Sequence, residues 1–300
     1  MASFFSRVLL GVLWCLHWLP LPLLAALGRG LGRLLYRVAG SRRRIALRNL
    51  ELCLPQWSAA RREALARQHF QWLGRSLLER CLLFYAGEKR LRRLIHVEGD
   101  VHLAERAWKE SGRPTMWLVP HFMGLDVAGV AAQLFQSQPS ASIYQAQSNP
   151  VMDEALRRGR LRFAPSVIFP RTDSIKPLIR VVRKEGRAFF NLPDMDFGPQ
   201  DAAFVPFFGV PAATLLAPSR LARSLDMVVQ PVIAEMLPGG RGYRVHFRAP
   251  WTDFPTDDAL ADTLLMNRRI EQEILANPTQ YLWVHKRFKT RPPGEPSVYH

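Results

Sequence analysis

The pattern of apolar positions changes character along the chain. Val8–Leu27, VLLGVLWCLHWLPLPLLAAL, carries no charge, and His17 is its only strongly polar side chain. About 20 apolar residues suffice for a helix to cross the hydrocarbon core, so this run is expected to be a membrane anchor helix, kinked at Pro20 and Pro22. A segment lying deep in the interface, or a hairpin, fits the same residues. A cleaved signal peptide fits less well, because arginines crowd the would-be cleavage site. Arg29, Arg33 and Arg37 recur at intervals of four, as on one face of a membrane-surface helix. From about Arg43 to Glu110 apolar residues keep mixed three and four spacing, which predicts helices. The clearest is WSAARREALARQHFQWLGRSLLERCLLFYAG, with Ser58 as cap and Gly87 as stop.

After Gly112 short apolar runs alternate with amphipathic ones. The predicted strands are TMWLV, SIYQA, SVIF, AFFNL, MVVQPVIAE and YRVHFRA; the predicted helices include Leu125–Phe135, Ser174–Lys184 and Ala213–Ser224. Such alternation predicts an α/β class, a mixed central sheet flanked by helices. The expected organisation is an anchor and interfacial helix over 1–40, a helical part over 41–110, an α/β core over 111–290 and a loose tail over 291–300.

Composition narrows the partners. Lys and Arg number 41 against 25 Asp and Glu, a formal net charge of +16. An anionic partner is implied: nucleic acid, a membrane surface or an acidic protein. The arginines crowd beside the apolar anchor, and no nucleic-acid recognition motif appears, which favours the anionic membrane over nucleic acid. The same arginines place the body on the cytoplasmic side. Cys15, Cys53 and Cys81 form no C-x-x-C pair and suggest no disulfide framework.

The chemistry concentrates at MWLVPHFMGLDVAG, Met116–Gly129. The strand ends just before His121, and Asp126 falls in the first turn of the next helix. Ligands of open α/β sheets bind beyond the carboxyl ends of strands. An imidazole there, its Nδ1 proton held by Asp126, would present Nε2 as a base. A histidine with an acid five residues on also arises by chance, and a structural contact would look the same. Four further segments bear on the choice. RRGRLRF holds Arg157, Arg158, Arg160 and Arg162, either a solvated basic face or a grip for anionic oxygens. NLPDMDFG holds Asp194 and Asp196, a rigid loop lining the site rather than a metal site. FVPFFGVPAAT offers Phe204, Phe207 and Phe208, an apolar wall or plain core. YLWVHKRFK holds His285 among cations, in a structural or phosphate-side place.

Taken in order with NLELCLPQWS near Asn49, these segments resemble the late acyltransferases of lipid A biosynthesis, the lauroyl and myristoyl type. That family belongs to the wider membrane acyltransferases with a His-x-x-x-x-Asp/Glu motif. The resemblance implies a glycerol-phosphate acyltransferase-like α/β core at the cytoplasmic face of a bacterial inner membrane. It implies an acyl carrier protein thioester as donor, a hydroxyl of a lipid A precursor as acceptor, and neither cofactor nor metal. His121 would be the general base and Asp126 its orienting carboxylate, where many members carry Glu. The arginines and Asp194 and Asp196 would face substrate, and Phe207 and Phe208 the acyl chain. No G-x-S-x-G elbow is present, consistent with direct attack on a thioester. A relative acting on another phospholipid, an ornithine lipid or a glycolipid is the nearest alternative; a membrane-anchored nucleic-acid-binding protein is the distant one.

Overall fold

The computed structural model describes residues 2–299. Four helices come first: α1 (Ala2–Leu16), α2 (Leu21–Val38), α3 (Gly40–Cys53) and α4 (Ala59–Tyr85). The expected single anchor helix is two helices, broken at His17–Pro20, and no helix among the described residues is long and apolar enough to cross a membrane. Pro20 and Pro22 cause the break: a proline lacks the N–H that an interior turn needs, and both sit at the start of the second helix, where that loss costs nothing. Helices α2 and α4 then cross closely. A Cβ on Gly74 would stand 2.3 Å from the Gly28 carbonyl oxygen, and one on Gly32 would stand 2.1 Å from that of Phe70. Only glycine permits that approach.

The core follows as α5 (Glu88–Leu94), β1 (Ile95–Gly99), α6 (Leu103–Ser111), β2 (Thr115–Leu118), α7 (Leu125–Leu134), β3 (Ser140–Tyr144), α8 (Pro150–Arg160), β4 (Val167–Pro170), α9 (Lys176–Glu185) and β5 (Ala188–Asn191). It continues with the hairpin β6 (Ala202–Phe207) and β7 (Val210–Leu215), then α10 (Ala217–Ser224), β8 (Val228–Met236), β9 (Tyr243–Phe247) and α11 (Ala259–Ala276). The main sheet has seven strands in the order β1-β9-β8-β2-β5-β3-β4. All neighbours are parallel except β8 and β9. The expected mixed α/β sheet is therefore present. The helical expectation over Arg43–Glu110 is interrupted by β1, and Ala213–Ser224 is helical only from Ala217.

Alternate strand residues feed two cores, as a period of two requires. Met116, Leu118, Phe189, Val229 and Ile233 join Leu178 and Val182 of α9 and Met266, Ile270 and Ile274 of α11. Trp117, Val119, Val232 and Ala234 join α7, Leu13 of α1 and Leu21 and Leu24 of α2. Thus α1 and α9 lie on opposite faces of the sheet. The tail is not loose through Tyr299: its hydroxyl donates to Asn49 Oδ1 at 2.5 Å and accepts from the Phe288 N–H at 3.1 Å.

Candidate active site

Strands β2, β3 and β5 run parallel, so their carboxyl ends open at one end of the sheet. His121 follows β2, Leu192–Asp194 follows β5, and Tyr144 closes β3. The His121 turn is pinned on both sides. The Met123 N–H donates to the Gln280 carbonyl at 2.8 Å, and the Leu282 N–H donates to that of His121 at 2.9 Å. Gly124 is needed for contact rather than for the turn: its φ is −84°, but a Cβ there would stand 2.8 Å from the Ala234 carbonyl oxygen of β8.

The imidazole is held by Asp194. Nδ1 lies 2.7 Å from Asp194 Oδ1, while the His121 backbone N–H donates to Oδ2 at 2.9 Å. Asp194 is 1% exposed. Burial alone would raise its carboxyl; His121 outweighs that and holds it below the usual range. The Tyr281 phenol, buried beside the same carboxylate, is pushed well up by burial and then by Asp194. His121 thus has its carboxylate partner, but not the expected one.

Asp126 belongs to a different cluster. The first turn of α7 aims it at α4 and α8: Arg80 reaches Oδ2 at 2.9 and 3.1 Å, and Arg160 reaches Oδ1 at 2.8 and 3.0 Å. Burial raises this carboxyl too, yet Arg160 and Arg80 together hold it far below the usual range. No hydrogen bond joins it to His121 among the described residues. Its orienting role toward Nδ1 is corrected: the carboxylate fixes two guanidinium groups instead.

A cavity of about 460 Å³ opens between these groups. His121, Arg80, Asp126, Arg160 and Arg171 supply its polar wall; Leu77, Phe122, Ile143, Phe190, Met195 and Leu221 are among its apolar lining. The arginine segment divides here. Only Arg160 enters the cavity. Arg157 is exposed, and Arg158 pairs with Glu154 at 2.6 Å on an exposed helix face. Arg162 ties its loop to α4 through the Leu83 and Ala86 carbonyls, at 2.7 and 2.9 Å.

Phe207 and Phe208 pack with Tyr281, Trp283 and Phe288 away from the cavity, so the aromatic wall expected there is core. Asp196 is committed to the chain itself: Thr290 donates to it at 2.7 and 2.8 Å and the Gly198 N–H at 2.9 Å. The Asp196 N–H donates to His285 Nε2 at 3.2 Å, and burial lowers His285 to about 4, so it stands neutral as an acceptor.

Arg80 escaped the sequence analysis although its signal was there. Leu73, Ser76, Leu77 and Arg80 follow i, i+3, i+4, i+7 spacing on α4, one helix face ending in a cation, and all four line the cavity.

Comparison with known proteins fixes the family. The model of the bacterial lipid A biosynthesis acyltransferases matches residues 3–290. The chain belongs to that family. It is 35% identical over 291 residues to the lipid A biosynthesis lauroyltransferase of Escherichia coli (strain K12), covering 97% of this chain and 93% of that one. The palmitoleoyltransferase of the same organism is also 35% identical, over 97% of this chain and 92% of its own. The myristoyltransferase is 33% identical over 93% and 83%. The chain is therefore an acyltransferase of lipid A biosynthesis, in lipopolysaccharide synthesis.

Proposed function

We propose that this acyltransferase moves a fatty acyl group from an acyl carrier protein thioester to a hydroxyl of a lipid A precursor, with His121 as general base and Asp194 as its positioning partner. The observation that carries this is the imidazole at the cavity wall with Nδ1 on a buried carboxylate. With Nδ1–H donating to the Asp194 carboxylate, the Nε2 lone pair is the free one. It takes the hydroxyl proton as the oxygen attacks the thioester carbonyl. The C–O bond forms, the C–S bond breaks, and the imidazolium returns the proton to the departing sulfur. Asp194 stabilises that imidazolium through its short contact. Arg80 and Arg160, steadied by Asp126, present cationic N–H groups to a substrate phosphate or to the developing oxyanion. The apolar lining suits an acyl chain.

The exposed apolar residues of the amino-terminal helices support attachment to a membrane surface. Phe4, Phe5, Trp14 and Trp18 are 65%, 67%, 52% and 69% exposed, too much apolar surface to leave in water. On α2, Leu23, Leu27, Leu34 and Val38 form an exposed stripe opposite the face packed on α4, with Arg33 and Arg37 exposed beside it. A helix of that make-up lies in the interface of an anionic membrane. Assay of the purified enzyme with carrier-protein thioesters and a lipid A precursor tests the proposal: acyl-lipid should form with the wild type and fall at least about 10²-fold with His121→Ala.

A further inference from the structure

Helix α9 starts at the rim of the cavity: Arg171 and Ile175, just before it, are lining residues. Leu178 and Val182 bury its inner face. Lys176, Arg180, Arg183 and Lys184 are all exposed. At spacings i, i+4, i+7 and i+8 they share about 100° of the helix surface. None of the four forms an ion pair among the described residues; Glu185, next to Lys184 in sequence, turns to Arg187 at 2.6 Å. Four unneutralised cations thus form a row roughly 12 Å long that leads away from the cavity mouth.

The row could face a lipid surface or an acidic protein. Its place in the fold favours the protein. Helix α1, with its exposed Phe4, Phe5 and Trp14, lies on the opposite face of the sheet, in the other core. A membrane held by α1 lies across the sheet from α9; α2 spans both cores, with Tyr36 in that of α9, so vesicle binding is an arm of the test below. We propose that the outer face of α9 is the docking surface for the acidic carrier protein that delivers the acyl thioester, holding it so that its prosthetic arm enters the cavity past Arg171 and Ile175. This deepens the donor assignment proposed above and rests on it. Complementary charge of this kind speeds encounter and fixes register, and reversing it sets like charges against each other.

The test is the double variant Arg180→Glu, Arg183→Glu, assayed with two donors carrying the same chain, an acyl carrier protein thioester and a free acyl-pantetheine thioester. At low salt the KM for the carrier-protein donor should rise at least about tenfold, with kcat unchanged, and the gap should shrink as salt is added. Turnover of acyl-pantetheine and binding to phosphatidylglycerol vesicles should match the wild type. Unchanged KM for the carrier protein overturns the docking surface and leaves the donor assignment standing. Equal losses with both donors overturn it by making the row structural. Lost vesicle binding with unchanged KM assigns the row to lipid. A wild type that prefers acyl-pantetheine removes the donor assignment and the docking surface with it.

Discussion

Asp194 has no solvent to share its charge with, and both oxygens meet His121, one through the ring and one through the backbone. Asp194→Asn presents an amide to Nδ1 and favours the tautomer that blocks Nε2. We expect kcat to fall about 10²–10⁴-fold while the melting temperature moves only a few degrees. Asp126→Asn should act differently, since it leaves Arg80 and Arg160 side by side without their carboxylate. Losing such charged contacts costs about 1–3 kcal/mol, seen as a lower melting temperature and a raised KM for acceptor. Among the arginines, Arg160→Ala should weaken use of a phosphorylated acceptor more than about tenfold, a loss of about 1.4 kcal/mol or more; Arg158→Ala, on its exposed pair with Glu154, should change little. Steady-state kinetics with and without acceptor phosphate separate the two. His121 was legible because a polar side chain ended an apolar strand. Its partner was not. Asp126 is near in sequence, but a helical turn carries it toward α4 and α8. Asp194 is 73 residues away and arrives because β2 and β5 pair in parallel.

Among the elements, the α2–α4 crossing is the most exacting. Gly74→Leu would drive a side chain into the Gly28 and Gly32 backbone. The expected cost is about 1–3 kcal/mol or more, read by thermal unfolding, with α1 and α2 loosened from the body. Strands β2, β3, β4, β5, β8 and β9 and helices α7 and α9 were readable from periodicity. The β6–β7 hairpin was not, because Pro206 and Pro211 argue against a strand. They face each other in a ribbon of only two strands, where each can lack its ladder bond, and Phe208 and Gly209 turn the chain with φ of 51° and 78°. Ribbon hairpins favour such turns. The tail read as loose because its composition is polar and proline-rich, while Tyr299 finds Asn49 across 250 residues of sequence.

At the scale of the whole molecule, two properties follow from burial. His69 and His285 are both lowered to about 4 by burial. The unfolded chain protonates its histidines near 6.5. Between those values the unfolded state binds more protons, so stability falls as pH falls from about 6.5 toward 4. His285→Gln should flatten that slope in melting temperature against pH; an unchanged slope would mean that His285 contributes nothing to it. Attachment is the second property. The full chain should remain on anionic vesicles in high salt, and a chain lacking residues 1–19 should bind them more weakly at every salt concentration, since it loses Phe4, Phe5, Trp14 and Trp18 and keeps the α2 stripe alone.

The central claim is that His121 is the base for acyl transfer inside the cavity. Single-turnover acyl transfer to a lipid A precursor, measured for the wild type and His121→Ala at matched melting temperature, tests it most directly. The rate should fall at least about 10²-fold while substrate still binds. A variant that keeps more than about a tenth of the wild-type rate would contradict it, and leave the His121–Asp194 contact as a structural one.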